Sequence, residues 1–132
     1  MRTLWIVALA LAPTGCLIGP TAGGFAPANG PAGVTVQLQT MRRHKLTGEL
    51  LEVRDTAILL LAGDTVRLVP FRAVRLAAVR QRGNLEFGEG ETPDASTLYR
   101  LRQVARFPVG LTPDLAQKLL AAHGQREPLA VE

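Results

Sequence analysis

Between Val34 and Arg80 apolar and polar residues trade places with period two, which commits this stretch to strands that bury one face and wet the other. Val34, Val36 and Leu38 alternate with Thr35, Gln37 and Gln39. Arg42, Arg43 and His44 break the pattern as a turn, and Lys45 to Arg54 resumes it with Leu46, Gly48 and Leu50 on one face and Thr47 and Glu49 on the other. The adjacent pair Leu50-Leu51, followed by Val53, shifts the alternation by one residue, so a bulge or sharp bend is expected there, helped by Gly48. Thr56 to Ala62 is an almost unbroken apolar run, the pattern of a central strand, and Gly63-Asp64 is a hairpin signal into Thr65 to Val69. Pro70 ends that strand, Phe71 to Val74 fits one helical turn, and Arg75 to Arg80 forms a fifth short strand.

The C-terminal third changes period. The triplet Thr-Pro-Asp stands at Thr92 and again at Thr112, each time offering a capping hydroxyl, a proline suited to the first helical position and an early acidic residue. The first helix is expected to run to about Arg106, with Leu98, Leu101, Val104 and Ala105 inward, until Phe107-Pro108 ends it. The second carries Leu115, Leu119 and Ala122 at helical spacing, widened by Ala116 and Leu120, and stops at Gly124. The connection between them is short, so a helical hairpin is expected. A barrel of about 50 residues is marginal alone, and the helices should complete its core. The expected fold is therefore α+β and mainly β: a small five-stranded antiparallel barrel over 34–82, an acidic loop over 83–92, a helical hairpin over 93–124 and a tail over 125–132.

The strand series Val34-Thr-Val-Gln-Leu, Leu46-Thr-Gly-Glu-Leu-Leu-Glu-Val, Thr56-Ala-Ile-Leu-Leu-Leu and Val66-Arg-Leu-Val-Pro-Phe resembles the strand order of Sm-like and SH3-type small barrels. The resemblance implies architecture only, since the polar residues with which RNA-binding Sm proteins hold a base have no counterpart here.

The other end of the chain carries an address. Arg2 precedes the apolar run Leu4 to Ala12, which has the length of a secretion signal and falls short of the roughly 20 residues that cross a bilayer. Pro13-Thr14-Gly15-Cys16 resembles the lipobox of bacterial lipoproteins, with Thr14 and Gly15 matching and Pro13 standing where a branched aliphatic residue is usual. The resemblance implies a signal peptide over 1–15, diacylation of Cys16, and attachment to a membrane of the cell envelope, facing the periplasm or the exterior. Cys16 is the only cysteine, so no disulfide can staple the fold. Residues 16–33, rich in Gly, Pro and Ala, read as a lipidated flexible tether whose reach is on the order of 20 Å.

Charge supplies the one binding candidate beyond Cys16. Between Arg42 and Arg82 nine basic residues stand against the four acids Glu49, Glu52, Asp55 and Asp64, while Glu86, Glu89, Glu91 and Asp94 follow in the acidic loop. Arg42, Arg43, Arg72, Arg75 and Arg80, if they share a face, would bind an anionic surface such as acidic lipid, and another envelope protein is the other partner class. Solvated arginines with the acidic loop lying over them are the plain alternative.

No enzyme, cofactor or metal site is expected. His44 and His123 lack further ligands at metal spacing, Glu89 and Glu91 flank Gly90 in a loop, and Ser96, the sole serine, lacks a nucleophile elbow. The expected function is thus a non-enzymatic, membrane-anchored envelope lipoprotein acting as a binding or structural module, with nucleic acid not expected as a partner. Two alternatives stand apart from it: a cytoplasmic Sm-like nucleic-acid binder, which requires the N-terminus to be no signal peptide, and a small hydrolase built on Ser96, His123 and Asp94.

Overall fold

The computed structural model describes residues 32–80 and 85–132. Strands β1 (Thr35–Thr40), β2 (Lys45–Val53), β3 (Ala57–Ala62), β4 (Thr65–Pro70), β5 (Val74–Val79), β6 (Leu85–Gly88) and β7 (Leu129–Ala130) form one sheet in the order β6-β5-β1-β2-β3-β4-β7. All pairings are antiparallel except β4 with β7. A single 3-10 turn, Phe71–Ala73, joins β4 to β5. Helices α1 (Ala95–Val104) and α2 (Pro113–Ala122) follow β6. The described residues are thus mainly β with two helices. Its sheet has seven strands rather than five, it is mixed, and among the described residues no ladder closes it. Leu85 and Phe87, inside the segment expected to be an acidic loop, alternate with Glu86 and form β6. Leu129–Ala130, in the expected tail, are too few to show a period and are recruited by the open edge of β4.

The sheet is open but strongly curled. Phe71, just after β4, meets Phe87 of β6 edge-to-face at 5.7 Å, although β4 and β6 lie at opposite ends of the strand order. The curl encloses an inner core in which Val36, Leu38, Leu50, Ile58, Leu60, Val69, Phe71, Val74, Ala77 and Phe87 pack with Leu101 and Val104 of α1. A second, outer core lies on the other face of β2, β3 and β4, where Leu51, Leu59 and Val66 pack with Leu120 of α2 and with the half-buried Phe107, Leu111 and Leu119. Strand β3 contributes Ile58 and Leu60 to the one and Leu59 to the other, which is why its sequence is apolar throughout.

The bulge anticipated in β2 lies between Leu50 and Glu52. Leu50 pairs with Leu60 over the inner core, Glu52 with Leu59 over the outer one, and the extra residue Leu51 joins the outer core. Here the chain after α1 docks: the Arg106 and Phe107 N–H groups donate to the Leu50 and Leu51 carbonyls at 2.9 Å each, and the Val34 N–H donates to the Val104 carbonyl at 3.1 Å. This crossing overturns the helical hairpin. The chain is tied to β2 between the helices and passes from one face of the sheet to the other, so α1 covers the inner core and α2 the outer. Each apolar stripe had its own sheet face to bury.

The two Thr-Pro-Asp signals are used in different registers. Thr112 caps α2 through its hydroxyl, which accepts the Leu115 N–H at 3.3 Å, with Pro113 first in the helix. In α1 the cap is Asp94, whose carboxylate accepts the Thr97 N–H at 2.7 Å, so that helix begins later than expected, at Ala95. It also ends earlier, at Val104, because Ala105 is already extended.

Candidate functional site

Three turns meet at one end of the curled sheet. The β1–β2 turn is fastened by hydrogen bonds from the Thr40 N–H to the His44 carbonyl and from the Arg43 N–H to the Thr40 carbonyl, both 2.8 Å, and from the His44 N–H to the Thr40 hydroxyl at 3.1 Å. Arg43 takes a left-handed φ of 65° to close it. The Met41 N–H donates to the Ala73 carbonyl at 2.8 Å, which brings the 3-10 turn and Arg72 alongside. The Glu89 and Gly90 N–H groups donate to the Arg75 and Val74 carbonyls at 2.8 Å, which brings in the turn that leaves β6.

Arg42, Arg43, Arg72 and Arg75 are therefore gathered at this end, all exposed, with Lys45 beside them. Arg80 is not among them. It follows the far end of β5, about 16 Å from Arg75 at the rise of an extended strand. Acidic groups share the site: Arg42 pairs with Glu132 at 3.3 Å, and Glu89 and Glu91 stand on the third turn. The Arg75 guanidinium donates to the Gln39 amide oxygen at 3.0 Å. From there an open groove of about 430 Å³ runs over the outer face of β1, lined by Gln37, Gln39, Lys45, Thr47, Leu76 and Ala78. Met41, half exposed at 52 %, stands in the middle of the basic cluster. Its signal in the sequence is slight: an apolar residue directly before Arg42-Arg43-His44-Lys45 and out of phase with Leu38 and Thr40.

A second polar site lies where β2 bulges. Glu52, only 8 % exposed, accepts the Leu111 N–H on one oxygen and the Arg54 Nε–H on the other, both at 3.0 Å. Beside it the Arg102 Nη2 donates to Asp55 at 2.8 Å and its Nε to the Val53 carbonyl at 3.2 Å. Glu52 is buried because the bulge turns both Leu51 and Glu52 toward the outer face. Its carboxylate then serves to hold the Phe107–Leu111 turn that leads into α2.

The remaining chemistry-bearing residues are dispersed. Ser96 is exposed in the first turn of α1, over the inner core, and His123 ends α2, over the outer one. Asp94 is committed to capping, and the Thr97 N–H bonded to its carboxylate holds its pKa below the ordinary aspartate value. The structure does not bring these three together as a triad. Among the described residues no three His, Cys, Asp or Glu side chains are grouped to hold a metal. Cys16 lies outside the described residues. No known protein family, curated protein or solved structure matches the chain.

Proposed function

We propose that this chain is a bacterial lipoprotein, anchored to a membrane of the cell envelope through acylated Cys16, whose domain from Gly33 onward serves as a non-enzymatic binding or structural module. The observation that carries this is the sequence Met1 to Cys16: a charged start, a nine-residue apolar run and a lipobox-like Thr14-Gly15-Cys16. The start of the folded domain is consistent with it. The Gly33 N–H donates to Glu49 at 2.8 Å and Val34 enters the inner core, just where the Gly- and Pro-rich stretch of the sequence ends. Among the described residues no helix is long and apolar enough to cross a membrane.

We also read β1 to β5 as a small barrel of the SH3 or Sm-like kind. The order β5-β1-β2-β3-β4, the helical turn between β4 and β5 and the bulge in β2 support that assignment. Intact mass of the mature protein tests the anchor. A chain beginning at Cys16 with added acyl mass is expected, and Cys16→Ser should abolish acyl labelling. An unmodified chain beginning at Met1 or beyond Cys16 would refute it.

A further inference from the structure

We propose that the β1–β2 turn is a membrane-contact tip, at which Met41 inserts into an anionic phospholipid surface while the surrounding arginines engage the headgroups. The inference rests on the lipoprotein proposal only for the nearness of a bilayer. Its own grounds are geometric. Met41 is half exposed in a turn tied by three hydrogen bonds, which give its backbone a rigid frame, and its methyl lies beside Gly90 of the third turn. Arg42, Arg43 and Lys45 flank it in sequence, and the Met41–Ala73 hydrogen bond sets Arg72 next to it, with Arg75 near the start of β5. An apolar side chain beside long cationic ones that outnumber the nearby acids is an arrangement that settles at a headgroup boundary, the apolar part entering and the cations meeting phosphate.

The charge at the tip favours an anionic surface without making it sticky. Arg42, Arg43, Lys45, Arg72 and Arg75 outnumber Glu89, Glu91 and Glu132, and each uncompensated cation close to such a surface strengthens binding by about fivefold. A tether strengthens contact of this kind by keeping the tip within reach. The tip lies at the far end of β1 from Gly33, about 20 Å along a six-residue strand, and the expected reach of 16–33 is of the same order. The domain can therefore turn its tip back to the membrane that holds it.

The test uses the full chain carrying Trp5→Phe and Met41→Trp, which leaves the introduced indole as its only tryptophan. Circular dichroism checks that the fold is kept. The chain is placed on vesicles of phosphatidylglycerol with phosphatidylcholine and on phosphatidylcholine alone. On the anionic vesicles the emission should shift to the blue and be quenched by brominated acyl chains, and high salt should reverse both. Arg43→Gln and Arg72→Gln should each weaken docking by about fivefold, and Glu89→Gln should strengthen it. An indole that stays in water on anionic vesicles overturns the proposal, and so does an equal shift on neutral ones. Intact mass on the same preparation reports the anchor separately. An acylated chain with its indole in water removes the tip and leaves the anchor, whereas an unacylated chain that still docks removes the anchor and leaves the tip.

Discussion

Two residues at the bulge show how much of this fold turns on single atoms. Glu52 holds the Leu111 N–H and Arg54 at once, and deleting its carboxylate leaves a half-buried N–H without a partner. Glu52→Ala should destabilise the domain by about 1–3 kcal/mol in denaturant titration, and Glu52→Gln by clearly less, because an amide oxygen can still accept from Leu111. Equal losses for the two would mean that the charge, not the acceptor, matters. Gly33 is constrained from the opposite direction: a Cβ there would collide with the Leu50 carbonyl oxygen and lie 2.7 Å from the Arg106 nitrogen, all of it backbone. At Asp94 the effect is pH-dependent. Its folded pKa is depressed by the Thr97 N–H, so the cap stabilises α1 fully above the unfolded aspartate pKa, about 3.9, and the gain is lost as pH falls through the lower folded value. A carboxyl NMR titration placing Asp94 at or above an ordinary aspartate would contradict that assignment of the cap.

At the scale of elements, the exposed side of β4 is closed by two devices. The Gln125 side chain imitates a neighbouring strand, its oxygen accepting the Val66 N–H at 2.7 Å and its nitrogen donating to the Val66 carbonyl at 3.0 Å, and β7 continues the cover over Arg67 and Leu68. An uncovered edge is a template for association. Gln125→Ala should therefore raise amide exchange at Val66 and increase self-association at high concentration, and unchanged exchange there would dismiss the clamp. None of this was legible in the sequence, because a lone glutamine and a two-residue strand carry no period. The strands from Val34 to Val79 were legible, and the bulge with them, since Leu50-Leu51 puts two apolar residues where alternation allows one. The helices were legible as elements but not in their placement. Their stripes say that each needs an apolar face, and only the continuous run Ala57 to Ala62 hinted that the sheet had two to offer. The basic tip was half legible: four of the five arginines meet there, and which four depends on the hydrogen bonds that draw the 3-10 turn to Met41.

For the whole molecule the decisive property is that one sheet faces two cores, each completed by a helix from the C-terminal third. The inner core uses Leu101, Val104 and Ala105, and the outer core uses Leu120 with Phe107, Leu111 and Leu119 around it. A chain ending at Gly90 would keep β1 to β6 and lose the cover of both faces, together with the N–H groups of Arg106 and Phe107 that satisfy Leu50 and Leu51. Burying the apolar face of so few residues cannot hold such a curl by itself. The truncated chain should lose cooperative thermal unfolding and aggregate. Two point variants separate the faces: Leu101→Asp places an unpaired carboxylate in the inner core, and Leu120→Asp one in the outer. If the cores form one cooperative unit through the shared strand β3, both variants should abolish the same single transition. If Leu120→Asp left the inner core's transition intact, with only α2 released, the outer face would be an independent layer, and α2 would be a cover rather than part of the fold.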